Sequence, residues 1–178
     1  MIETISRNRA AVTTLATSLL LLVVVGTASF QTWLHARIGY LTPIAALGEP
    51  RSVPGLRFSP MGHQMTAHMV VDGLLALAVA VALAAWAKGY GEKRPEAGSL
   101  RFAWGITRIT MLLFAAANTV RVTVYGFQAE TPGTLYLLQV GASWVLAVVY
   151  GLVVGTIIGA VASAVRRTGR ERREAPAG

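Results

Sequence analysis

Four stretches of this chain are each apolar for long enough to cross a lipid bilayer, and that restricts its possible folds more than any other feature. A hydrocarbon core needs about 20 mostly apolar residues in a spanning helix. The first stretch, about 10–33, contains LLLLVVVG and is expected to run on toward His35. The second, about 66–87, passes through GLLALAVAVALAAWA. The third, about 102–127, is less pure because it carries Arg108, Asn118 and Arg121. The fourth, about 135–165, is roughly 31 residues, more than a bilayer requires, so tilt or extension into water is expected. The sequence thus predicts an all-α integral membrane protein. It is a four-transmembrane-helix bundle over residues 1–165, with a basic cytoplasmic tail over 166–178.

Composition agrees. Charged residues make up 13% of the 178, about half the share of a soluble domain, and mean hydropathy is +0.55. The net charge of +8 would suggest nucleic acid in a soluble protein. Here the cations lie between apolar runs, so they mark one membrane face and no nucleic-acid partner is expected. The chain has no cysteine, which excludes disulfides, thiolate metal sites and thiol redox chemistry.

Orientation follows from the basic residues that flank each span. Arg7, Arg9, Lys88, Lys93, Arg94, Arg101 and the tail arginines 166, 167, 170, 172 and 173 fall on one side. Only Arg37, Arg51 and Arg57 fall on the other. Both termini are therefore expected in the cytoplasm of a bacterial-type plasma membrane. The irregular, proline-containing loop between the first two spans is then outside, as is the GFQAETPGT turn. The first segment also has features of a signal peptide, with Arg7 and Arg9 before it and small residues at Gly26 and Ala28. Its apolar run exceeds the usual signal core, so a retained helix is expected.

Residues 59–72, SPMGHQMTAHMVVD, hold three of the five methionines, two of the three histidines and the only aspartate. Ser59-Pro60 reads as a helix N-cap followed by proline in the first turn. In a helix starting there, Met61, Met65, His68 and Asp72 share one face, while His63 and Met69 point elsewhere. Thioether and imidazole ligands suit Cu(I), so Met61, Met65 and His68 form a candidate metal site. The competing reading places the methionines as packing residues and His68 as a hydrogen-bonded interfacial histidine, and it is preferred. A bis-histidine haem would need His35 opposite His68. No cofactor is expected; copper and haem are the alternatives.

Two charges lie inside the spans at matching depth. Asp72 sits about 9 Å from the outer end of the second helix, and Arg121 at the same depth in the third. Either alone at mid-membrane would cost about 2.5–3.5 kcal/mol, so the two are expected to pair. Met111, Phe114, Asn118, Arg121 and Tyr125 make one stripe of the third helix. Tyr136, Gln139, Ser143 and Tyr150 make another on the fourth. Lipid offers such groups no hydrogen bonds, so they should face one another. His68, Asp72, Asn118, Arg121, Gln139 and Ser143 form the candidate polar binding cluster. Arg108, nearer the cytoplasmic end, is expected to snorkel to that interface.

In the fourth span, GLVVGTIIG sets Gly151, Gly155 and Gly159 at four-residue intervals, a pattern that lets helices approach closely. The stripe would serve packing within the bundle or association with a second copy or another membrane protein. The basic tail is expected to touch anionic headgroups. No HExxH, GxSxG or P-loop occurs, and no residues are assigned catalytic roles. The preferred function is partner or solute binding at the outer polar cluster, by an accessory or scaffold subunit of a membrane complex or a small transport-related protein. The alternative is a membrane enzyme or a copper or redox protein using His68 and Asp72.

Overall fold

The computed structural model describes residues 2–38, 55–56, 66–94, 96–128 and 130–174. Among them the regular elements are α1 Ile2–Gly26, α2 Ala28–Ile38, α3 Thr66–Lys93, α4 Ser99–Gln128 and α5 Gly133–Glu174. Four of these, α1, α3, α4 and α5, are long and apolar enough to cross a membrane. They close a ring. Both α1 and α4 pack against α3 and α5, and the α4–α5 seam is the most extensive. Short connections make α3, α4 and α5 run alternately up and down.

The bundle is apolar outside and partly polar within. Leu20, Leu74, Val81, Leu112, Leu137 and Val145 are exposed, whereas Thr14, Ser18, Thr110, Asp72, Asn118 and Arg121 are buried. In water so much exposed apolar surface would be unfavourable at about 25 cal/mol per Å². Against lipid tails it carries no such cost, and the polar groups have reason to turn inward. The buried hydroxyls are satisfied by their own helices: Thr14 donates to the Ala10 carbonyl at 2.8 Å, Ser18 to that of Thr14 at 2.6 Å, and Thr110 to that of Ile106 at 2.8 Å.

The structure differs from the sequence reading at the end of the first helix. The first helix does not continue toward His35; it stops at Gly26, and α2 starts anew. Thr27 caps the new start. Its Oγ1 donates to the Val24 carbonyl at 2.7 Å and accepts from the Phe30 N–H at 3.3 Å, which is an N-cap bond for α2. The connecting chain returns here, with the Leu56 N–H donating to the Leu22 carbonyl at 3.0 Å. Only a glycine fits at position 26, because a Cβ there would overlap the Leu56 carbonyl oxygen. The fourth span does extend beyond its apolar run, and α5 is helical as far as Glu174. Residues 166–174 are mostly arginine and glutamate, good helix formers, with no proline, so α5 continues past its apolar run despite Gly169.

At the basic end, Trp86, Tyr90 and Phe102 pack together, with Trp86–Tyr90 ring centroids 4.8 Å apart and Tyr90–Phe102 5.7 Å. The Arg166 guanidinium lies 4.9 Å from the Phe102 ring and donates from Nη2 to the Arg94 carbonyl at 3.0 Å. This contact pins α5 to the α3–α4 turn. At the opposite end α4 turns into α5 through Glu130, which adopts a φ of 49°. The Thr131 N–H reaches back to the Gly126 carbonyl at 3.0 Å, closing the end of α4.

Candidate functional site: a buried ion pair

Asp72 lies near the start of α3 and Arg121 near the end of α4. Because the two helices are antiparallel neighbours, the charges meet at one level. Arg121 Nε donates to Asp72 Oδ1 at 2.6 Å, and Nη2 donates to Oδ2 at 3.2 Å. Such a fork matches guanidinium to carboxylate with two parallel bonds. It is sealed: Asp72 is 0% exposed and Arg121 1%.

Neighbouring side chains complete the network. Tyr125, one turn beyond Arg121, donates its hydroxyl to Asp72 Oδ1 at 3.2 Å. Arg121 Nη1 donates to Asn118 Oδ1 at 3.1 Å, and Asn118 Nδ2 donates to the Ser143 carbonyl on α5 at 3.3 Å. The Ser143 hydroxyl turns back to the Val140 carbonyl at 2.9 Å. Gln139, one turn nearer the start of α5, is buried on the same face. The His68 ring, half-buried, meets the Tyr125 ring edge-on with centroids 4.2 Å apart. One chain of polar contacts thus joins α3, α4 and α5.

The copper and haem readings fare differently. Met61 and Met65 lie outside the described residues, as do Ser59 and Pro60, and so does the His35 side chain. Among the described residues no three His, Asp or Glu side chains are grouped to hold a metal ion. Asp72 does not complete a ligand set with His68: both of its oxygens receive hydrogen bonds from Arg121, and Oδ1 a further one from Tyr125.

The glycine stripe is placed inside the bundle, which decides between the two arrangements its spacing allowed, packing within the chain and association with a second protein. A methyl group added at Gly151 would stand 2.6 Å from Met111 Cα. At Gly155 it would stand 2.8 Å from Thr107 Cα, and at Gly159 2.7 Å from the Ala103 carbonyl oxygen. All three glycines are covered by α4. The physical reason is that α5 turns both its glycine stripe and the Gln139–Ser143 stripe inward, so these faces serve one seam.

A second set of polar contacts along the same seam was not anticipated. Trp144 Nε1 donates to Thr119 Oγ1 at 2.8 Å, and Thr123 Oγ1 and the Tyr136 hydroxyl share a hydrogen bond of 2.9 Å. The available signal was two threonines one turn apart on the third span, level with a tryptophan and a tyrosine on the fourth. Threonine in a membrane helix usually bonds its own backbone, as these do, and that masks a second role. Comparison with known protein families, curated proteins and solved structures gives no match.

Proposed function

We propose that this chain is a non-catalytic subunit of a membrane assembly, holding a rigid four-helix frame against a partner within the bilayer. The observation that supports this reading is the closure of the polar cluster. Asp72 and Arg121 bind one another with less than 2% exposure each, so the charges act first on helix register and only indirectly on anything outside. Along α3 the outward face carries apolar Val70, Leu74, Leu77 and Val81. Purification in mild detergent, with mass spectrometry for protein, lipid and metal, tests it. A stoichiometric membrane-protein partner is expected. An isolated chain carrying a small molecule or metal that is lost in Asp72→Asn would replace this reading with solute binding.

Solute binding remains the second reading, and one contact favours it. His68 is only half-buried and touches Tyr125, whose hydroxyl reaches Asp72, so the cluster has one edge toward the end of the bundle.

The proposed orientation has both termini in the cytoplasm of a bacterial-type plasma membrane, from the excess of Lys and Arg at the α3–α4 turn and the end of α5. Reporter fusions after residues 96 and 170 should both signal cytoplasm, and one near residue 50 the exterior. An exterior signal from the fusion at 96 would reverse the topology.

A further inference from the structure

We infer that the exposed face of α4 near the basic end is a binding site for the phosphate of an anionic phospholipid, built from Arg108, Arg101 and Trp104. Two of the three ionised residues well inside the spans, Asp72 and Arg121, are buried against each other. Arg108 is the third, and it is exposed on the lipid-facing side, flanked one turn away by exposed Trp104 and Leu112. Among the described residues neither Arg108 nor Arg101 makes a hydrogen bond or an ion pair.

The depth and direction of Arg108 argue for a headgroup. The α4 span runs Ser99–Phe127, so its midpoint is residue 113, five residues past Arg108. That places the Arg108 Cα about 7.5 Å from the membrane centre, roughly half-way to a headgroup layer about 15 Å out. Side chains on a helix lean toward its N-terminus. The N-terminus of α4 is at the basic end, so Arg108 leans over Trp104 toward Arg101 and the nearer headgroups. At 100° per residue, positions 101, 104 and 108 fall within about 60° of one another. Two guanidinium groups on one face, with an interfacial tryptophan between them, match a phosphate anchored at the top of two acyl chains. A carboxylate on a neighbouring protein's helix would have to be buried in lipid before it arrived, which is costly. A lipid brings its phosphate at no such penalty.

The test uses the full-length protein in phosphatidylcholine vesicles, with spin-labelled phosphatidylglycerol and spin-labelled phosphatidylcholine as probes of the protein-bound lipid fraction. The wild type should select phosphatidylglycerol, and Arg108→Gln should lower that selectivity by about five-fold, the effect of one basic side chain near the surface. Arg101→Gln, at the exposed start of α4, should lower it too, so the result does not hang on one variant folding. Lys88→Gln removes an equal charge from α3 at the same end and should lower selectivity less than either arginine variant, because it contributes long-range attraction but no direct contact to the phosphate. An equal loss in Lys88→Gln would mean diffuse attraction and overturn the site. So would wild-type selectivity of one, which would leave the face to an acidic protein partner. Displacement of the labelled lipid by inorganic phosphate would likewise overturn a lipid site in favour of a free anion.

Discussion

Asp72→Asn and Arg121→Gln are each expected to destabilise the bundle by about 3–5 kcal/mol, because each leaves one buried charge facing a neutral amide. The geometry explains why neither loss can be repaired locally. Asp72 and Arg121 are 0% and 1% exposed, so no water reaches the orphaned group in the closed bundle. Removing both charges should cost less than the sum of the two single changes, since the dominant penalty is the unpaired ion. The charge swap Asp72→Arg with Arg121→Asp should recover only part of the loss. The new arginine would retain a carboxylate, but Asn118 Oδ1 and the Tyr125 hydroxyl are placed for the original arrangement. Thermal unfolding in detergent and steady-state accumulation would be measured for the wild type and all these variants. A swap no better than the worse single variant would show that pairing is not what the charges contribute. Single variants as stable as wild type would show that the pair does not support the fold.

Gly155→Ala should destabilise by about 1–3 kcal/mol, the usual range for an overpacked interior. Its added methyl would meet Thr107 Cα at 2.8 Å and Thr110 Cβ at 3.0 Å, close to main chain on one side. Main-chain atoms cannot rotate away, so α4 and α5 must separate, and the contacts along their shared seam weaken together. Gly151→Ala and Gly159→Ala should behave alike, since their neighbours are Met111 Cα and the Ala103 carbonyl. Combining two of them should prevent folding into a single bundle. Gly141→Ala is the control on the same helix: nothing lies within 4 Å of the added carbon. It should be neutral or stabilising by up to about 1 kcal/mol, from reduced freedom in the unfolded chain. Melting temperatures of the four variants in detergent, with helicity by circular dichroism, decide the matter. Equal stability of Gly155→Ala and Gly141→Ala would mean that the α4–α5 seam is looser than the structure has it.

The all-helical class and the four helices long and apolar enough to span a membrane were legible because they depend on local runs of apolar side chains and on nothing distant. The meeting of Asp72 and Arg121 was legible for a related reason. Two antiparallel spans of known length fix the depth of every residue, and an isolated charge at that depth is too costly to leave alone. Depth does not fix rotation about the helix axis, however. Whether Gly151, Gly155 and Gly159 turned toward α4 or toward a second protein was open in the sequence, since both arrangements bury a small-residue stripe equally well.

The break at Thr27 shows the same boundary on a smaller scale. The sequence carries the glycine and the capping threonine, but an apolar segment in lipid gains from continuing its helix, so the local signal was outweighed. What ends the helix is the connecting chain, which brings Leu56 against Gly26 and takes the Leu22 carbonyl as an acceptor. Likewise, Trp144 and Thr119 each had an ordinary local role, and only the seam between α4 and α5 joined them. By itself, then, the sequence determined everything set by hydropathy and by depth: four spans, a polar level near one end and a basic level at the other. Tertiary structure decided everything set by helix rotation and chain return, because those depend on which surfaces pack side by side. No single segment carries that information.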